Sequence, residues 1–131
     1  GDYWQHWLDM GEKLGDKAPK IFNVNWFRTD DEGHFIWPGF GDNLRVLEWI
    51  MKRCFNEAEA ESSPIGYLPR TKDINLEGSG VDEGVLSGLL SVDVDLWKTE
   101  TEGIHEFYAK FGDKLPPALS AELKKLEDRL K

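Results

Sequence analysis

Phe27, Phe35 and Phe40 fall close together in the chain, and the last two belong to the run FIWPGFGDN, Phe35 to Asn43. Three phenyl rings beside an amide side chain suit one kind of ligand. A flat heteroaromatic ring can stack on their faces while Asn43 and nearby backbone groups read its edge. Pro38, Gly39 and Gly41 interrupt any regular strand or helix, and they let the backbone turn sharply and approach a ligand closely. The same residues also fit a plainer arrangement, in which the rings are cross-strand core pairs and the Pro-Gly step is only a turn. The pattern by itself leaves both readings open.

The elements that must hold these residues can be read from periodicity. Ile21 to Phe27 alternates: Phe22, Val24 and Trp26 share one face, and Ile21, Asn23, Asn25 and Phe27 share the other. That is strand spacing with one apolar face. Thr29 to Gly33 reads as a turn, so His34 to Trp37 is expected to return as the second strand of a hairpin, with Phe35 across from Phe27. Asp42 or Asn43 can cap a helix reaching about Phe55, in which Leu44, Val46, Leu47, Trp49, Ile50 and Met51 leave little polar face. This helix is therefore expected to be largely buried, with Cys54 as a small core residue and Glu48–Lys52 as a solvated pair.

Before the hairpin, Tyr3 to Leu14 reads as a helix with Tyr3, Trp7 and Met10 at helical spacing beside Trp4 and Leu8. A helix that apolar needs a partner surface, which points to a piece of a larger protein and to self-association of the piece through that face. Residues 56–81 read as an extended connection containing the proline-fenced segment Pro64 to Pro69 and the flexible Gly78-Ser79-Gly80. Residues 82–131 read as helical, over Glu83 to Leu90, Asp93 to Phe111 and Ser120 to Leu130. The class is α+β: an aromatic-rich β-hairpin, a buried helix and a C-terminal helical region.

Several chemistries are excluded by what is missing. The phosphate-cradling pattern G-x-x-x-x-G-K-[ST] does not occur, and Gly39-Phe40-Gly41 is followed by Leu44 where a dinucleotide fingerprint needs glycine. His6, His34 and His105 are far apart and lack metal-site spacing, and Asp30-Asp31-Glu32 suits a turn better than a calcium loop. With Cys54 the only cysteine, no disulfide framework exists, and a reducing, cytoplasmic setting is the simplest expectation. The net charge is −9, and residues 56–131 hold 16 of the 25 acidic side chains. Such a surface argues against nucleic-acid backbones as partners, and no apolar run is long enough for a membrane span.

The run KIFNVNWFRTDDEGHFIWPGFGDNLRVLEWI, Lys20 to Ile50, closely resembles the guanine-binding segment of GTP-dependent phosphoenolpyruvate carboxykinase. The similarity is collinear over essentially the whole chain, including GDYWQHWL before it, SPIGYLPRTKDINLEG after it and DKLPPALSAELKKLEDRLK at the end. The resemblance implies a fragment of a larger two-lobed α/β kinase-like enzyme, with residues 20–55 as its guanine-binding hairpin, turn and helix. It implies that the base of GTP lies between phenylalanines, here Phe27, Phe35 and Phe40. Asn43 is then expected at the guanine edge, with backbone of Phe40, Gly41 and Asp42 lining the pocket after the Pro38-Gly39 bend. Asp42 stands where the family commonly has Glu, and Leu44 where it has a small polar residue.

The reaction so implied converts oxaloacetate and GTP to phosphoenolpyruvate, GDP and carbon dioxide in gluconeogenesis, in an enzyme that acts as a monomer. Manganese and magnesium serve it, through ligands implied to lie outside these residues together with the phosphate loop, so no catalytic residue is expected here. From another class, the aromatic groove fits a small peptide- or protein-binding module without catalysis.

Overall fold

A computed structural model describes residues 1–131, and they divide into two units. One unit is Lys20–Ser91; the other combines Gly1–Pro19 with Val92–Lys131.

The unit Lys20–Ser91 is organised around Trp37, Trp49, Ile74 and Leu86, which are buried together. Trp49 comes from helix α2 (Asn43–Cys54) and Leu86 from helix α3 (Glu83–Leu90). Phe22 meets Trp49 edge to face at 6.2 Å, and Trp26, Val46 and Ile50 pack around the same cluster. The alternation of residues 21–27 is therefore real in burial: Phe22, Val24 and Trp26 turn inward while Ile21 and Phe27 are exposed.

The expected ladder between residues 21–27 and 34–37 does not form. A single antiparallel bridge joins Thr29 to Phe35, flanked by bonds from Asp30 N to His34 O and from Ile36 N to Arg28 O. Side chains divert the amides that a ladder would use. Asn25 Oδ1 accepts from Phe27 N at 2.9 Å, and Asp30 Oδ1 accepts from both Glu32 N and His34 N. Such short polar side chains compete with sheet pairing for local backbone donors.

The regular hairpin lies instead in the stretch expected to be an extended connection. Strand β1 (Glu61–Ser63) pairs antiparallel with β2 (Gly66–Leu68), turning at Pro64-Ile65. Ser63 Oγ donates to Gly66 O at 2.7 Å across the turn, and Gly66 takes φ +128. A 3-10 turn, Thr71–Asp73, follows and carries Ile74 into the core; Arg70 opens it, donating from N, Nε and Nη2 to the Asp73 carboxylate.

Helix α2 is less buried than its composition suggests. Only Trp49 is buried; Leu44, Leu47 and Met51 are exposed, as is Cys54, which is thus not a core residue. The rim of the helix carries the Glu48–Lys52 ion pair at 2.7 Å. The apolar arc of the helix is wider than the one core it meets, so Leu44, Leu47 and Met51 at its outer side stay in solvent.

In the other unit, helix α1 (Asp2–Leu14) lays Trp4 on Phe107, Tyr108 and Phe111, with the Trp4–Phe111 centroids 4.6 Å apart. Those rings belong to helix α4 (Val94–Ala109) and the turn after it; Asp93 caps α4 by accepting from Leu96 N. Helix α5 (Pro117–Arg129) starts before the expected Ser120 because Pro117 takes its first position, where a missing N–H is harmless. It buries Leu123, and His105 Nε2 on α4 meets Glu127 on α5 at 2.6 Å. Tyr3 and Trp7 remain exposed on α1.

No helix is long and apolar enough to cross a membrane. The Arg70 guanidinium hydrogen-bonded to Asp73 holds that carboxyl below the usual aspartate range. A depressed folded-state pKa adds stability that is present above the unfolded value, near pH 4, and lost as pH falls through the folded one. The stability difference between the natural chain and Asp73→Asn should therefore be widest at neutral pH and shrink below about pH 4. Chemical unfolding across that range measures it; a difference unchanged at acid pH contradicts the assignment.

Candidate functional site

The turn from Trp37 to Asn43 is closed by hydrogen bonds at both its backbone and its side chains. The Gly39 carbonyl accepts from Asp42 N at 2.9 Å and from Asn43 N at 3.1 Å. Gly39 takes φ +95, a region that L side chains rarely enter, so the turn requires glycine there. Asn43 Oδ1 accepts from the Trp37 indole Nε1 at 2.9 Å. A buried indole and the first residue of α2 are thus tied together, and Pro38 to Asp42 form the arch between them.

Two arginines fix this arch to the rest of its unit. Arg45 Nε donates to Asp42 Oδ1 at 2.7 Å, and its two terminal nitrogens donate to the carbonyls of Asn75 and Glu77 at 2.7 and 2.8 Å. Asp42 therefore serves the helix start through Arg45 rather than through a side-chain cap. Arg28 Nη1 donates to the Gly88 and Leu89 carbonyls at the end of α3, which ties the Phe27 side of the bridge to a helix. Neither arginine is singled out by sequence pattern; the three-residue spacing of Asp42 and Arg45 is the one signal available.

The aromatic residues point away from the core. Phe27 is 70% exposed, Phe35 63% and Phe40 96%. Phe27 and Phe35 meet at 5.9 Å with planes inclined by 61°; the bridge pairs Phe35 with Thr29, so Phe27 meets it diagonally and not directly across the hairpin as expected. Phe40, at the crest of the arch, touches neither ring closely enough to pair with it. The cross-strand core reading is excluded by these exposures, because the core is built from Trp37 and Trp49 instead.

This geometry limits how a planar ligand can sit. A ring held between two phenyl faces needs them about 7–8 Å apart and nearly parallel, twice a carbon–carbon contact. Phe27 and Phe35 are too close and too inclined to hold one between themselves, so a planar ligand could only lie against the outside of this pair. Asn43 is half-buried, with its Nδ2 without a partner inside the chain. No group of three or more His, Cys, Asp or Glu side chains is placed to hold a metal ion. His34 lies 3.5 Å from Asp30 and 3.6 Å from Glu32 on the open surface of the turn.

Two stability outcomes follow from the arch. Gly39→Ala has free space for its methyl group, so its cost is conformational and should be about 1–3 kcal/mol. Phe40→Ala should leave stability within about 0.5 kcal/mol, because almost nothing covers the ring. Equilibrium unfolding in urea checks both; a large loss for Phe40→Ala would mean that the ring is a packing residue.

Comparison with known proteins gives a consistent result. Residues 1–129 match the family model described as the phosphoenolpyruvate carboxykinase C-terminal P-loop domain. The chain is 48% identical over 130 residues to the phosphoenolpyruvate carboxykinase (GTP) of Chlamydia abortus, covering 98% of this chain and 22% of that protein. It is 46% identical over 132 residues to the protein of the same name from Renibacterium salmoninarum, with 99% and 22% covered. For Corynebacterium kroppenstedtii the identity is 41% over 131 residues, with 100% and 21% covered. The chain spans about a fifth of the length of these relatives.

Proposed function

Because the chain belongs to the GTP-dependent phosphoenolpyruvate carboxykinase family, we propose that it supplies the guanine-binding part of an enzyme that converts oxaloacetate and GTP to phosphoenolpyruvate, GDP and carbon dioxide. The observation that carries this reading is the outward display of Phe27, Phe35 and Phe40 around an arch held by the Gly39 carbonyl and by Arg45. None of the three rings enters the tryptophan core, and together they offer flat apolar faces on which a purine can stack.

In this reading the base stacks on Phe40 from one side and on the Phe27–Phe35 pair from the other. Asn43 meets the edge of the base, and the backbone of Pro38 to Asp42 lines the pocket. Stacking contributes about 1–3 kcal/mol per base. Because base binding is made before and during the reaction alike, it acts chiefly on the Michaelis constant rather than on turnover. The arch adds preorganisation: Arg45 and the Gly39 carbonyl hold it in place before the ligand arrives.

Phosphoryl transfer needs cations and a metal ion to spread the charge on the phosphates. No group of residues here fits a metal site, so manganese and magnesium would be held by other parts of the enzyme. The proposed division of labour is base recognition in this chain, with phosphate, metal and oxaloacetate binding elsewhere in the enzyme, and the chain alone catalytically silent. The exposed apolar sides of α1 and α2 suit packing against those other parts, and in the isolated chain they would favour self-association.

The test uses the full-length enzyme carrying these residues. Phosphoenolpyruvate formation from oxaloacetate with manganese should proceed with GTP and poorly with ATP. Phe40→Ala or Phe27→Ala should raise the Michaelis constant for GTP about tenfold or more, with a smaller change in turnover. An unchanged constant in both variants would remove the stacking assignment.

A further inference from the structure

The Trp37–Asn43 bond has a consequence for which purine edge the site accepts. An indole Nε1–H can only donate. At 2.9 Å from Asn43 it therefore compels the amide to present Oδ1 inward, so that Nδ2 and its two hydrogens face the other way. The indole cannot follow a rotating amide, because Trp37 is 6% exposed and packed with Trp49, Ile74 and Leu86. The main chain of Asn43 is held as well, through its N–H to the Gly39 carbonyl at 3.1 Å. An amide turned over would set its NH2 against the indole N–H, donor against donor, with no acceptor to relieve either.

We propose that Trp37 is a positioning residue that fixes the Asn43 amide with its NH2 toward the ligand, so that the site selects a purine presenting an acceptor there. The proposal rests on the base-binding reading of this site. Guanine and hypoxanthine carry the carbonyl O6, which accepts from that NH2; adenine and diaminopurine carry the amino group N6, which can only donate to it. Discrimination then comes from a residue that touches no ligand. The phenylalanines contribute affinity without distinguishing purines, since every base has a face to stack.

The experiment compares triphosphates of guanosine, inosine and diaminopurine riboside in the full-length enzyme, with oxaloacetate and manganese. Diaminopurine keeps the 2-amino group of guanine. It differs at position 6, where an amine replaces O6, and at N1, which lacks the proton. Inosine keeps O6 and the N1 proton and so controls for the 2-amine alone. The natural enzyme should show Michaelis constants for the two carbonyl purines lower than that for diaminopurine by about tenfold, a single hydrogen bond gained against one opposed. Trp37→Phe keeps the ring and removes the N–H, freeing the amide to turn. Its Michaelis constant for GTP should rise about threefold to tenfold while that for diaminopurine stays level or falls, with turnover within about twofold. Equal increases for all three nucleotides would mean that Trp37 acts only through packing, and would overturn the proposal.

Asn43→Asp provides a second test if Trp37→Phe does not fold. A carboxylate still accepts the indole N–H but offers oxygen outward, so preference should move toward diaminopurine; a retained preference for GTP overturns the proposal. Phe40→Ala distinguishes a failure of the Trp37 role from a failure of base binding. If it weakens GTP binding while selectivity is indifferent to Trp37, only the role of Trp37 fails. If it changes nothing and the natural enzyme ignores the O6 position, the base-binding reading fails with it.

Discussion

A tryptophan in a protein core brings an N–H that must find an acceptor, and in the unit Lys20–Ser91 that requirement organises everything around the arch. Trp37 fills the centre of the cluster with Trp49, Ile74 and Leu86, and its indole donates to Asn43. The acceptor is the first residue of α2, so satisfying one buried donor also fixes where the helix begins. Between those two ends the chain must reverse direction in a few residues, which Pro38 and the positive φ of Gly39 permit. Phe40 then falls at the crest, where no part of the unit covers it. Its exposure follows from how the core is closed.

With so little sheet, the unit holds its loops by another device. Four of its cations reach backbone carbonyls: Arg28 at the end of α3, Arg45 at Asn75 and Glu77, Arg53 at Ala58, and Lys20 at Arg53. Helix ends leave carbonyls without intrahelical partners, and a cation there meets both the open acceptor and the negative end of the helix dipole. This gives the basic side chains of an acidic protein structural positions rather than a basic surface. It also makes the arch rigid without a ladder beneath it, which a ligand-binding turn needs if ordering is not to be charged against binding.

The helices were legible because their signals are local. The apolar spacing of Tyr3 to Leu14 and the helical stretches beginning at Glu83 and Asp93 correspond to elements of the structure, where Asp82 and Asp93 each cap a helix through a donor only a few residues away. The alternation of residues 21–27 correctly separated Phe22 and Trp26 from Phe27, yet it overstated the strand, because Asn25 and Asp30 could satisfy the same amides locally. The hairpin of residues 61–68 was hidden by the proline in its turn, by Pro69 directly after it and by its shortness. The exposure of Leu44, Leu47 and Cys54 was hidden for a different reason: composition reports how apolar a helix is, not how much surface is available to cover it. At the site, residue types and the Pro-Gly bend made the aromatic display readable. The Trp37–Asn43 bond was not, since nothing in a sequence says which acceptor a buried indole will find.

Affinity and selectivity are thereby assigned to different physics. Phenyl faces attract any planar ring in proportion to the area they cover, so three exposed phenylalanines can hold a base without identifying it. Identification needs a polar group whose orientation cannot adapt, because an amide free to turn would satisfy a donor and an acceptor equally well. In the proposed site the amide is held by an indole that is itself locked among core side chains. The core therefore sets the polarity of the site's edge, and the packing that stabilises the unit is the same packing that denies Asn43 its alternative orientation.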